Sequence, residues 1–252
     1  MAHISAMIFP KSLGFRTRVE VIIPQDPQSE AKPDKILYLL HGLSDDATAW
    51  SRHTRIESYA EQRGYIVIMP EVQRSFYSDM KYGSQYFTYV TEELPQICEE
   101  LFNIKHVREK TFVAGLSMGG YGALKCGLSK PDFYAACAGF SGALDFEATL
   151  DRIYEEGRYN EIYAIMDKGE PCPEGANLFK LADKAAKLNK KDQPRVLVTC
   201  GDGDFLIDYN RKFDKHMKTL PLEYEYKEWK GVHDWKFWEE SLPLAFEFFE
   251  RA

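Results

Sequence analysis

The 252-residue sequence is short of the features that mark several protein classes. No window approaches the eighteen or more consecutive apolar residues of a membrane helix, so a membrane-spanning protein is not expected. There is no run of five or six basic residues. With 32 Lys+Arg against 39 Asp+Glu the formal charge is −7, which makes nucleic acid an unsuitable partner. Cysteines number only five (Cys98, Cys126, Cys137, Cys172 and Cys200), with no CxxC and no Cys/His ligand spacing. They read as buried thiols in a reducing compartment, and neither a metal nor another cofactor is expected. The opening MAHISAMIFP lacks a basic n-region and is interrupted by His3 and Ser5, a poor secretory signal, so a cytoplasmic location is expected. Internal repeats and Gly/Ser-rich or Pro-rich linkers are absent, and the one stretch whose composition argues against order is the polar turn Gln25 to Asp34. A single domain over 1–252 follows, long enough to bury one core without disulfides or a structural metal.

What is present has an alternating rhythm. Ile4 to Phe9 and Arg16 to Ile23 predict an antiparallel opening hairpin. Ile36 to Leu40, Tyr65 to Met69, Thr111 to Leu116, Tyr134 to Phe140 and Arg195 to Cys200 are short, nearly continuous apolar runs, as in strands buried on both faces. Helical stretches lie between them over Trp50 to Gln62, Phe87 to Phe102, Met118 to Ser129 and Ile207 to Thr219, and Asp234 to Arg251 closes the chain. The fold class is therefore α/β, with a mostly parallel sheet and helices on both faces. Residues 143–193 break the rhythm with short polar helical pieces. They predict an insertion over the C-terminal edge of the sheet, either a lid and substrate wall or a structural, oligomer-facing excursion.

Gly115-Leu116-Ser117-Met118-Gly119 is a GxSxG pattern, which by chance alone arises in about one chain of this length in ten to twenty. Its position after a buried strand and before a helix gives it meaning: a sharp strand-to-helix turn presents the serine to a cleft, and flanking glycines let the turn close. Without a nucleophilic role it would be a Gly-rich packing turn. A serine hydroxyl needs a histidine base, itself oriented by a carboxylate. Of the six histidines, only His216 and His233 follow Ser117 in the order this fold class uses. His216 falls within a helix as a solvated residue, whereas His233 lies in a loop between the strand-like Leu222 to Trp229 and the last helix. For the acid, Gly201-Asp202-Gly203-Asp204-Phe205-Leu206 puts two aspartates at a strand end. Asp204 precedes an apolar pair that would anchor it, and Asp202, between glycines, better suits the turn. Asp234 is expected to cap the final helix. The developing oxyanion calls for the N–H of Met118 and one from the loop His41-Gly42-Leu43, with Leu43 as donor and His41 holding the loop.

These residues together resemble the esterase D-like branch of the alpha/beta-hydrolases, and within it the tributyrin esterase group. The resemblance runs through LLHGLSDDATAW, RSFYSDMKYG to EELP (Arg74 to Pro95), GLSMGGYGAL, GDGDFL and GVHDWKFWEESL, nearly the whole chain. It implies Ser117, Asp204 and His233 as a triad and Leu43 and Met118 as oxyanion donors. It also implies that Ser75 to Tyr82 borders the acyl pocket, with Phe76 and Tyr77 as contacts. The expected activity is cofactor-independent hydrolysis of small, short-acyl esters through an acyl-enzyme. A thioesterase of the S-formylglutathione type, an acyltransferase and a catalytically idle binding module stand as alternatives. The expected partner is a small-molecule ester, and self-association into a homo-oligomer is compatible with the sequence.

Overall fold

A computed structural model describes residues 1–25, 33–166, 170 and 172–251. Most of the polar turn expected at Gln25 to Asp34 lies outside the described residues. Eight strands form one sheet: β1 (Ala2–Ile8), β2 (Thr17–Ile23), β3 (Lys35–Leu40), β4 (Tyr65–Pro70), β5 (Thr111–Leu116), β6 (Ala136–Phe140), β7 (Arg195–Gly201) and β8 (Tyr224–Trp229). Their spatial order is β1-β2-β4-β3-β5-β6-β7-β8. β2 runs antiparallel to both its neighbours and every other pairing is parallel, in agreement with the expected hairpin and mostly parallel sheet.

The period-2 alternation of each strand divides the core between the faces. In β3, Ile36, Tyr38 and Leu40 join one apolar cluster, and Leu37 and Leu39 join the other. The first face is covered by α4 (Leu94–Phe102), α5 (Met118–Ser129), α8 (Leu178–Ala185) and α9 (Ile207–Met217), through residues such as Leu94, Leu124, Leu181 and Phe213. The second is covered by α1 (Ala49–His53), α2 (Ile56–Arg63) and α10 (Trp235–Phe249), through Trp50, Ile56, Leu242 and Phe246. Both faces being covered explains why the central strands read as unbroken apolar runs.

Two expected helices are interrupted. The stretch Trp50 to Gln62 is two helices, because Thr54 is extended and its Oγ1 donates to the Trp50 carbonyl at 2.6 Å. Phe87 to Phe102 begins as α3 (Tyr86–Thr88) and passes through a π turn (Tyr89–Glu93) before α4, where Pro95 brings no N–H to the helical ladder. The long stretch 143–193 is also divided. Its first helix, α6 (Phe146–Glu155), stands beside the C-terminal ends of the strands with α7 (Tyr159–Ile165) against it, whereas α8 is packed into the first helical layer.

The strand order reverses about β3: the chain passes from β3 to β4 on one side and then to β5 on the other. Open α/β sheets hold their ligand crevice at such a point, outside the carboxyl ends of the strands. There the loops after β3, β5, β7 and β8 converge.

Candidate active site

At the end of β5 the chain turns into α5 through Ser117, whose φ is 54° and ψ −116°. A non-glycine residue there costs about 1–3 kcal/mol and persists only where its surroundings fix it. The Ser117 N–H donates to the Phe140 carbonyl at 2.8 Å, and its carbonyl accepts from Ala143 N–H at 3.2 Å. The glycines of the motif allow the close approach. A Cβ at Gly115 would sit 2.4 Å from the Gly119 carbonyl oxygen, and one at Gly119 would sit 2.3 Å from that of Leu40. Strand and helix therefore touch backbone to backbone, and the serine is left at the tip.

His233 lies in the loop after β8. Its Nε2 is 3.0 Å from Ser117 Oγ, and its Nδ1 is 2.9 and 3.1 Å from the two carboxylate oxygens of Asp204. The Asp204 side chain is fully buried and that of His233 is 16% exposed. Asp204 also accepts the Leu206 N–H at 2.8 Å. Burial by itself would raise the Asp204 carboxyl; the hydrogen bond and charge of His233, with the Leu206 N–H, outweigh it and hold the group below the ordinary carboxylate range. The imidazole is flanked by Phe205 at 4.4 Å and by the edge-on Trp238 at 5.0 Å between ring centroids.

The residues passed over for these positions have other work. Asp202 is exposed and accepts Gly231 N–H at 3.2 Å, and Gly203 N–H donates to the Gly231 carbonyl at 2.9 Å, so Asp202 helps stitch the acid loop to the base loop. His216, expected to be solvated, pairs with Asp183 at 2.9 Å and packs against Phe179, away from Ser117. Asp234 accepts Phe237 N–H at 2.9 Å and caps α10.

The loop after β3 is set by His41, which is buried. Its Nε2 accepts Val72 N–H at 3.1 Å, leaving Nδ1–H to donate to the Gly42 carbonyl at 2.8 Å. In a planar peptide the N–H points opposite to the C=O, so drawing the Gly42 carbonyl toward the ring turns the Leu43 N–H the other way. Leu43 and Met118 both line the cleft, and among the described residues neither N–H has an acceptor.

The cleft has a volume of about 570 Å³. Its wall is mainly apolar (Leu43, Phe76, Met118, Ile153, Trp235 and Trp238), and Arg152 of α6 and Glu156 just after that helix also line it. Phe76 lines the cleft. Tyr77 does not: it is fully buried behind the wall, and its hydroxyl donates to the His41 carbonyl at 2.9 Å. Sequence reasoning passed over Ile153, Arg152 and the pair Trp235 and Trp238. The amphipathic spacing of Phe146, Thr149, Leu150 and Ile153 was the available signal for α6. Among the described residues no group of three or more His, Cys, Asp or Glu side chains is placed to hold a metal ion, no helix is long and apolar enough to cross a membrane, and the five cysteines are buried and unpaired.

A family model described as "Putative esterase" matches residues 11–249. An acetyl esterase of Caldicellulosiruptor saccharolyticus is 31% identical over 265 aligned positions, covering 100% of this chain and 99% of that protein. Two solved structures from Staphylococcus aureus are also 31% identical. One is the substrate-bound fluorophosphonate-binding serine hydrolase F, with a TM-score of 0.87 and coverage of 100% of this chain and 99% of that one. The other is an S-formylglutathione hydrolase apoenzyme, with a TM-score of 0.82 and 98% of each chain covered.

Proposed function

With this chain belonging to the esterase family of that match, we propose that it is a serine carboxylesterase for small, short-acyl esters, with Ser117, His233 and Asp204 as its triad. The observation that carries the assignment is the unbroken relay from Ser117 Oγ through both ring nitrogens of His233 to the buried Asp204 carboxylate. Ser117 Oγ attacks the ester carbonyl carbon while its proton passes to His233 Nε2. The Nδ1–H stays bonded to Asp204, which fixes the tautomer and stabilises the imidazolium. The carbonyl oxygen becomes an oxyanion held by the N–H groups of Leu43 and Met118, whose freedom from other acceptors supports that role. Collapse of the tetrahedral intermediate breaks the ester C–O bond, and His233 returns the proton to the departing alcohol. Water then attacks the acyl-enzyme by the same route, releasing the acid and restoring Ser117. Every proton is handled by these side chains, so EDTA is expected to leave the hydrolysis rate unchanged; a loss restored by zinc or calcium would reveal a metal requirement.

Substrate size follows from the cleft. An apolar wall around about 570 Å³, closed on one side by Phe76, suits a small acyl group. Across p-nitrophenyl esters of increasing chain length, kcat/KM is expected to be highest from acetyl to butyryl and to fall by at least about tenfold at octanoyl. Efficient hydrolysis of emulsified long-chain triglyceride would overturn this. The likeness to an S-formylglutathione hydrolase supports a thioester as second reading, and turnover of S-formylglutathione set against p-nitrophenyl acetate decides between them. The five buried, unpaired thiols support a reducing, cytoplasmic location.

A further inference from the structure

A second cavity, of about 430 Å³, lies among Phe87, Phe146, Ile165, Met166, Ala176 and Lys125. The partition between it and the cleft is aromatic. Phe76 faces the cleft, and its ring centroid is 5.9 Å from that of Phe146, which faces the second cavity. Phe146 is stacked in turn on Tyr121 of α5, at 4.9 Å and 10°. The wall is two rings thick.

Its backbone is held under strain. Phe76 and the adjacent Tyr77 both have φ of 49°, in the left-handed region, and neither is glycine. Such a pair persists only where other contacts fix it. Lys125, buried on α5, supplies them: its ammonium donates to the Tyr77 carbonyl at 2.9 Å and to Ser78 Oγ at 3.1 Å. Ser78 Oγ donates onward to the Phe76 carbonyl at 3.1 Å. Among the described residues no carboxylate lies within ion-pair distance of Lys125. Burial pushes this ammonium down to about 8, so it remains mostly charged at neutral pH, where charge strengthens both bonds.

The direction of the substrate follows from the proposed chemistry, on which this inference rests. The departing alcohol oxygen must come within reach of His233 Nε2, so the alcohol occupies the side of Phe205, Trp235 and Trp238. The acyl chain is left to point toward Phe76. We propose that Phe76, backed by Phe146 and locked by Lys125, is the stop that limits acyl length, and that it closes the second cavity to substrate.

The test is the ratio of kcat/KM for p-nitrophenyl octanoate to that for p-nitrophenyl acetate. A ratio cancels a general loss of active protein, so packing damage alone does not move it. Phe146→Ala and the double variant Phe76→Ala/Phe146→Ala are expected to raise it by at least about tenfold. Lys125→Met, which releases the clamp and leaves both rings in place, is expected to raise it by a smaller factor. Phe146→Leu removes the ring with less loss of volume and serves if the alanine variants do not melt cooperatively. A cooperatively folded double variant whose ratio stays within about threefold of the wild type overturns the stop, and a larger rise supports it. A wild-type protein that hydrolyses neither ester fails the esterase reading instead.

Discussion

Replacing Ser117 by alanine is expected to abolish ester hydrolysis, lowering kcat by about 10⁶, while the protein remains folded. Among the described residues the side chain has one hydrogen bond, to His233 Nε2 at 3.0 Å, so the change deletes a single oxygen whose partner, 16% exposed, still borders the cleft. The strain at φ 54° is a backbone property that alanine bears much as serine does, and the bonds to Phe140 and from Ala143 use backbone atoms that the variant keeps. The melting temperature should therefore change little. The chemistry has no substitute, because among the described residues no other hydroxyl is hydrogen-bonded to His233 Nε2. Rates of p-nitrophenyl acetate hydrolysis, together with covalent labelling by an alkyl fluorophosphonate, check this: both should disappear. A purified variant that kept a tenth of wild-type turnover would remove Ser117 from its proposed role.

Much of this arrangement was legible in the sequence because the reaction confines its residues to fixed places in the fold. The serine turn needs small residues where backbones meet, and Gly115 and Gly119 occupy those points with no room for a Cβ. Chain order alone left His216 and His233 as bases, and helical periodicity separated them; the structure ties His216 to Asp183 and brings His233 to Ser117. The choice of Asp204 over Asp202 rested on the apolar pair Phe205-Leu206. Leu206 is indeed buried beside it, but Phe205 is 57% exposed and lies over the His233 ring instead. What stayed hidden was whatever depends on contacts between distant segments. Lys125 reads as one charge on a helix, yet it is buried against Tyr77 and Ser78, 48 and 47 positions away. The orientation of Tyr77 was equally invisible: the resemblance implied a place beside the substrate, whereas Tyr77 turns inward to His41 and its neighbour Phe76 lines the cleft. A left-handed backbone at two non-glycine residues leaves no mark in composition or periodicity.

The second large effect falls on the acid. Asp204→Asn is expected to lower kcat by about 10⁴, as when a triad loses its tautomer. In the native protein Asp204 Oδ1 accepts Leu206 N–H at 2.8 Å, and Oδ2 faces His233 Nδ1 at 2.9 Å. An asparagine has one oxygen to place. If that oxygen keeps the Leu206 N–H, the amide nitrogen falls opposite Nδ1 and donates to it, forcing the imidazole proton onto Nε2. Protonated there, the ring cannot take the proton of Ser117. The reverse placement sets two donors, the amide and the Leu206 N–H, against each other in a buried site, where leaving both unmet costs about 1–3 kcal/mol for each. Either way the variant loses the arrangement rather than a contact, so kcat should fall much more than KM changes. Asp202 supplies the control from two positions away in the same turn: it is exposed and its carboxylate, among the described residues, accepts only the Gly231 N–H, so Asp202→Asn should cost less than about tenfold. Steady-state kinetics of the two variants on one soluble acetyl ester separate these roles, and a larger loss at Asp202 than at Asp204 would transfer the acid to the other aspartate.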